Sequence, residues 1–259
     1  INIKIDSRVI NTVTSKLKAS WAPEQAQDMD AMYQIDAEVE LTQILSEQIA
    51  RDIDREILIA LLNAAIIKAA WSRKIGRYVR INDSTNMIED VYTQSSMSPG
   101  TPFVDQQGWY QTLGETMIDV SNQIYKRNLR SGATWAVTSP EVATVVEAMQ
   151  GFKPSAIVDS TAPKFSMGVE KVGTMSNRFE IYKDPYFPAN KILMGFKGGS
   201  LLESGYVYAP YVPLIVTPTL FSPDDFTPRK GVMTRYAKAL IRNDFYGVIT
   251  VTDLGVIGA

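Results

Sequence analysis

The sequence predicts an α+β fold, with helices in its first 150 residues and strands crowded into its last hundred. Three observations carry that reading. From about Asp36 to Lys68 apolar residues recur at helical spacing with no Gly or Pro among them. Trp109 to Arg127 repeats the pattern on a shorter scale. Beyond Phe179 the chain breaks into short β-branched and aromatic runs. With 259 residues, 45% hydrophobic and 21% charged, the chain can bury a core as one large domain or two small ones.

Residues 1 to 22 read as an extended arm. Ile3, Ile5 and Val9 lie among Lys4, Asp6 and Arg8, and the alternation is too partial for a buried strand. Pro23 closes this piece. The long helix places Val39, Ile44, Leu45, Ile49, Ile53, Ile57 and Leu61 on one face, and Glu47 and Arg51 form an i,i+4 pair on the other. At 1.5 Å per residue it is on the order of 45 Å long, which suits a thin, plate-like protein. Residues 71 to 107 show weak periodicity and a turn at Ser98-Pro99-Gly100.

The second helix turns Leu113, Met117, Val120, Ile124 and Tyr125 to one side. Ala133 to Thr138 is a short buried strand, after which Ser139 N-caps a helix with Pro140 at its first position, ending near Gly151. Strands follow at Phe179 to Tyr182, Lys191 to Gly195, Tyr206 to Val216, Gly231 to Ile241 and Tyr246 to Val251. Pro210 and Pro213 make the third of these an edge or bulged strand. Gly195 to Ser200 lacks the spacing of a phosphate loop and reads as a turn between strands.

The chemical inventory is sparse. The chain has no Cys and no His, which removes disulfides, thiol chemistry, Cys/His zinc sites and the commonest general base. A carboxylate cation site stays open. The net charge of -2 gives no strong positive field for nucleic acid. Ile57 to Ile67 is about half the length of a membrane span, and no signal peptide is read at the start. Ser15 and Lys18 have the S-x-x-K spacing, but they sit on the arm and read as two polar strand residues.

The acid pairs Asp28/Asp30, Asp52/Glu56 and Asp224/Asp225 are the carboxylate alternative. Arg51 and Arg55 place Asp52 and Glu56 on a solvated or interface-facing helix surface. The cluster Arg73, Lys74, Arg77 and Arg80, interleaved with Trp71 and Tyr78, is the candidate for contact with DNA or an acidic neighbouring subunit. Asp83, Glu89 and Asp90 blunt its field. Tyr206, Tyr208, Tyr211, Tyr236 and Tyr246 read as sheet packing with a density that suits subunit contacts. No catalytic residue, cofactor or metal ligand is assigned.

Several stretches resemble the major capsid proteins of T-even-like tailed phages. Thr14-Ser15-Lys16-Leu17-Lys18-Ala19-Ser20-Trp21 is similar to that family's R-K-L-K-A-R-W run, and Ala26-Gln27-Asp28 follows it. Ile35 to Leu41 and Ile53 to Ile57 resemble the acidic-apolar run that opens the family's long helix. Tyr208-Ala209-Pro210-Tyr211-Val212-Pro213-Leu214 and Gly231 to Tyr236 resemble two later signatures in the right order. The resemblance is thinner over residues 72 to 106 and 151 to 175.

That resemblance implies the Hong Kong 97-type capsid fold. Residues 1 to 22 become the returning half of the extended loop, and 23 to 106 a peripheral domain with the spine helix. Residues 107 to 204 form the axial domain, 205 to 243 the peripheral strands, and 244 to 259 a final strand returning to the axial sheet. It implies a structural, non-enzymatic shell subunit, found in the virion after assembly in the host bacterial cytoplasm. Hexamers and pentamers would enclose double-stranded DNA held by weak, non-specific contact.

Portal, scaffold, prohead protease and decoration or vertex proteins are the implied partners, with no membrane. Lys16, Lys18, Trp21, Tyr208, Tyr211 and Arg235 are the subunit-interface candidates. Prohead-protease trimming in T-even relatives agrees with a start at Ile1, and disorder would give the same start. The alternatives are an encapsulin-type nanocompartment shell and a cytoplasmic Ser/Lys or carboxylate hydrolase.

Overall fold

A computed structural model describes residues 10–82, 85–92, 105–155, 169–200 and 203–255. The chain is α+β, as expected, and divides into two compact units. One comprises Ile1–Ile57 and Tyr206–Ile241, the other Leu58–Gly205 and Arg242–Ala259.

The first unit begins with strand β1 (Thr12–Ser20), whose residues are exposed or half-buried as an arm requires. Helix α1 (Pro23–Tyr33) follows, where the sequence suggested only a stop at Pro23. Proline is tolerated at the first helical position because its missing N–H has no helical partner there. Periodicity gives no sign of α1 because none of its residues is buried. Gln34 ends it in the left-handed region at φ 55°, with its N–H donating to the Asp30 carbonyl.

Helix α2 (Ala37–Ala64) starts where the Asp36 carboxylate accepts from the Glu38 N–H at 2.8 Å. It stops four residues before Lys68, because Ile67 and Lys68 pair in a strand with Gly247 and Val248. The predicted apolar stripe is only partly buried. Ile49 and Leu61 are buried, whereas Val39 and Ile44 are 62% and 50% exposed.

The first unit's sheet has the order β1-β12-β10, built from β10 (Tyr206–Val216) and β12 (Pro228–Leu240), with β11 (Leu220–Phe221) also on β12. All its pairings are antiparallel. β10 is an edge strand whose register shifts between Pro210 and Val212 and again before Ile215, as its two prolines predict.

The second unit holds a seven-stranded mixed sheet. Its strands are β2 (Ile67–Ser72), β5 (Trp135–Thr138), β6 (Phe152–Pro154), β7 (Glu170–Met175), β8 (Phe179–Lys183), β9 (Lys191–Gly195) and β13 (Tyr246–Thr252). Their order is β2-β13-β9-β5-β8-β7-β6. A separate hairpin, β3 (Tyr78–Ile81) with β4 (Ile88–Tyr92), occupies part of the stretch read as irregular. The Ser98-Pro99-Gly100 turn lies outside the described residues. β2 pairs with β13 inside the second unit, and the two units divide within α2.

Helix α3 (Gln106–Asn128) buries Leu113, Met117, Val120 and Ile124 as predicted, while Tyr125 is 53% exposed. The Trp109 indole N–H donates to the Ser72 carbonyl at 2.8 Å, and that of Trp71 to the Thr112 hydroxyl at 2.8 Å. Helix α4 (Pro140–Glu147) has Ser139 at its N-cap position. Its hydroxyl, however, makes no capping bond and is buried without a partner.

Candidate functional site

The first unit is two layers deep, and charge fixes how its layers meet. Glu38 and Glu56 are 18 residues apart, which is five full helical turns at about 100° per residue. Both carboxylates therefore leave α2 on the same face, roughly 27 Å apart. On β12, Lys230 and Lys238 are eight residues apart, also about 27 Å, and the even separation puts them on one face of the strand. The two ladders match. Lys230 Nζ lies 2.7 Å from Glu38, which also accepts from the Thr219 hydroxyl at 2.8 Å. Lys238 pairs with Glu56, which accepts from the Tyr236 hydroxyl at 2.5 Å.

Val232, Thr234 and Tyr236 are buried between these two clamps, on the same face of β12. Hydrogen bonds from Lys230 and Thr219 hold the Glu38 carboxyl below the usual range. Those from Lys238 and Tyr236 do the same for Glu56. Burial, then the bond to Glu56, pushes the Tyr236 phenol up. Burial also raises Tyr206, whose buried hydroxyl has no hydrogen-bond partner. Glu56 is thus a half-buried anchor against the sheet, set there by its register with Lys238. Asp52 accepts from Gln48 at 3.1 Å, whereas Glu56 is taken up by Lys238 and Tyr236.

The opposite face of the sheet carries the other set of side chains. Lys16 pairs across the ladder with Met233 and Lys18 with Gly231, so both lie on the same face as Arg235. All three are exposed. The Arg235 guanidinium donates to the Thr12 hydroxyl at 3.1 Å and sits 5.9 Å from the Tyr211 ring centre. Tyr211 is 71% exposed. Tyr208 falls on the other side, its ring 5.4 Å from that of Tyr236. The five interface candidates on this sheet are therefore split, with Tyr208 facing α2 and Lys16, Lys18, Tyr211 and Arg235 facing outward. Trp21 is half-buried just beyond β1, its backbone N–H donating to the Pro228 carbonyl at 3.3 Å.

The basic cluster sits in the second unit and is internally compensated. Arg77 pairs with Asp253 at 2.6 Å and Asp90 at 2.8 Å. Arg73 donates to the Leu254 carbonyl at 2.8 Å and to the Tyr110 hydroxyl at 3.3 Å. Arg80 pairs with Glu89 at 3.5 Å, and the Lys74 charge helps hold Asp253 below the carboxylate range, behind the Ser72 hydrogen bond. Asp253 was invisible to sequence reasoning because it lies 176 residues from Arg77. Ser15 and Lys18 are an odd number of residues apart on β1 and point to opposite faces, which rules out the serine–lysine pair. Tyr246 belongs to the second unit, packed 6.2 Å from Trp135. Among the described residues, no three acidic side chains gather as a metal site, and no helix is long and apolar enough to cross a membrane.

The family model "Major capsid protein Gp23" matches residues 1–256. The chain belongs to that family. Its relatives include the major capsid protein of Vibrio phage KVP40, 26% identical over 242 residues, which are 91% of this chain and 44% of that protein. The major capsid protein of Enterobacteria phage T4 is 26% identical over 246 residues, again 91% and 44%. That of Serratia phage KSP90 is 28% identical over 243 residues, 92% and 50%. The Gp23-family chain thus spans about half the length of the relatives it matches.

Among solved structures, Mycobacterium phage Che8 gives a TM-score of 0.54 at 12% identity, covering 93% of this chain and 70% of that one. The capsid of Myoviridae phage XM1 gives 0.53 at 9%, covering 93% and 74%. The SrpI encapsulin of Synechococcus elongatus gives 0.52 at 12%, covering 97% and 77%. The fold is the Hong Kong 97-type capsid fold that the T-even motifs implied.

Proposed function

We propose that this chain is the shell-forming part of a tailed-phage major capsid protein. It assembles with copies of itself into hexamers and pentamers that enclose double-stranded DNA in the virion head. The observation that carries this reading is the Gp23 family match across nearly the whole chain. An encapsulin-type shell has the same fold, but the family match and the curated relatives favour the phage capsid. A hydrolase finds no support in Ser15 and Lys18 or in Asp52 and Glu56, which do not meet.

In this reading the first unit corresponds to the peripheral domain and the second to the axial domain. Assembly takes place in the host cytoplasm with portal, scaffold, protease and decoration or vertex proteins. Lys16, Lys18 and Trp21 lie across a neighbour, with Trp21 an anchor and the lysines meeting acids. The compensated cluster of Arg73, Lys74, Arg77 and Arg80 serves the second unit's own structure before any DNA. Each contact is modest and closure adds many of them.

Electron microscopy of the purified, overexpressed protein tests the proposal. Closed polyhedra, tubes or capsomer rings are expected; a monomer that stays dispersed at high concentration overturns it. Trp21→Ala is expected to leave the monomer folded, by circular dichroism, while reducing assembly in the same micrographs.

A further inference from the structure

The second unit has a cleft of about 600 Å³ at the end of its sheet where β5 and β8 begin and β9 ends. Its floor is Trp135, which the ladder sets between Glu180 on β8 and Gly195 on β9. Gly195 has no side chain, so the indole lies against the β9 backbone and stays half-buried. The Trp135 indole N–H makes no hydrogen bond among the described residues, unlike those of Trp71 and Trp109. Two exposed cations, Arg178 and Lys197, also line the cleft. Arg178 follows the tight turn from β7 to β8, where Ser176 and Asn177 both take positive φ, at 49° and 54°. Lys197 lies just beyond β9. Neither cation makes an ion pair or a side-chain hydrogen bond among the described residues. The acid of the cleft, Glu180, is already taken up by Lys171 at 2.5 Å and by the Tyr182 hydroxyl at 2.8 Å.

We propose that this cleft docks an acidic segment of a partner protein. One apolar side chain of the segment sits on Trp135, and carboxylates beside it meet Arg178 and Lys197. Charge complementarity sets the sign of the partner, because the acid in the cleft is neutralised and its two cations are not. The residue types set its bulk. Tryptophan, tyrosine and arginine are enriched at binding hot spots, and Trp135, Tyr182 and Arg178 place all three in one cleft. The volume falls within the roughly 300–1,000 Å³ of clefts that enclose a compact ligand. The free indole N–H adds a donor for a backbone carbonyl of the docked segment. Nucleic acid is the poorer occupant. Duplex binding spreads over on the order of 6–10 phosphate contacts. Here two cations share the cleft with a carboxylate, on a chain of net charge -2.

The test is calorimetric titration of the full chain with a synthetic nine-residue peptide of glutamates around one central leucine. At low salt a Kd of about 100 μM or tighter is expected, and a peptide with lysine for every glutamate is expected not to bind. Arg178→Glu with Lys197→Glu should weaken binding at least tenfold, whereas Lys126→Glu with Arg127→Glu, at the exposed end of α3, should stay within about twofold of wild type. Melting curves identify folded variants, and Arg178→Gln with Lys197→Gln repeats the test with a smaller perturbation. Tryptophan emission should shift on binding in the wild type and not in Trp135→Phe, whose affinity stays within about threefold. Absent binding of the acidic peptide overturns the proposal, as does binding that the lysine peptide matches. Reversals at Arg178 and Lys197 that change no more than the control pair overturn it, and so does an emission shift that persists in Trp135→Phe. Single-stranded oligothymidine that binds more tightly than the peptide shows a nucleic-acid cleft. Self-association that the reversal abolishes, without peptide binding, shows a second copy there. Either result overturns the proposal.

Discussion

The two units stabilise themselves by different means. In the second, α3 and the seven-stranded sheet enclose Trp109, Leu113, Met117, Phe179, Ile181, Ile192 and Ile249, all essentially inaccessible to solvent. In the first, Ala37, Ile49, Pro228, Val232 and Tyr236 are the buried apolar side chains among the described residues. That unit leaves Met32, Tyr33, Tyr211, Leu220, Phe221 and Phe226 between 63% and 76% exposed. A unit held by two lysine–glutamate clamps and a narrow apolar strip retains surface to bury against something else. A unit with a closed core does not need to.

The contrast breaks most readily at the core. Phe179→Ala should cost about 3–5 kcal/mol, because a fully buried ring leaves a cavity that its neighbours cannot fill. Denaturant unfolding checks this. Little change in midpoint would mean that the second unit is not the stable one.

Gly195→Ala should cost about 1–3 kcal/mol, since a Cβ there falls 2.3 Å from the Trp135 ring. Tryptophan fluorescence during unfolding reports it.

In the first unit, Glu56→Gln should cost about 1 kcal/mol. It removes an ion pair whose partners are 39% and 27% exposed, so solvent screens part of the gain. Amide exchange along β12 is expected to accelerate before exchange along β13 does.

The pH dependence sharpens the same point. Glu38 and Glu56 titrate below their ordinary value of 4.5 when folded. Their contribution is therefore complete above that value and is lost as pH falls through the folded one. Tyr236 titrates above its ordinary 10.0, so its contribution is complete below pH 10 and is lost as pH rises towards the folded value. Hydrogen exchange should show β12 loosening at both extremes. Arg235→Ala should change stability least, by less than about 0.5 kcal/mol, because its contacts are exposed.

Much of the fold was legible because it is written in local periods. Lys191 to Gly195 and Tyr206 to Val216 have the predicted bounds, and Pro210 and Pro213 correctly marked an edge strand with shifted register. Helix α1 and strands β2, β6 and β7 were missed because their burial patterns are too short or too exposed to set up a period. The interface candidates were half legible: the motif named Tyr208 and Tyr211 together, but their odd separation on β10 sends them to opposite faces.

By itself, the sequence determined the α+β class, the long helix, the family and the lack of Cys and His chemistry. Each of these depends on residue type or on neighbours a few positions away. The tertiary structure decided which charges are spent and which are free. Lys230 and Lys238 are satisfied only because a helix rising 1.5 Å per residue and a strand rising about 3.3 Å per residue come into register over five turns. Arg77 is satisfied by Asp90 on the neighbouring hairpin and by an aspartate 176 residues away. Once those pairs are made, Lys16, Lys18, Arg229 and Arg235 are left on one face, and no pattern along the chain announces that remainder.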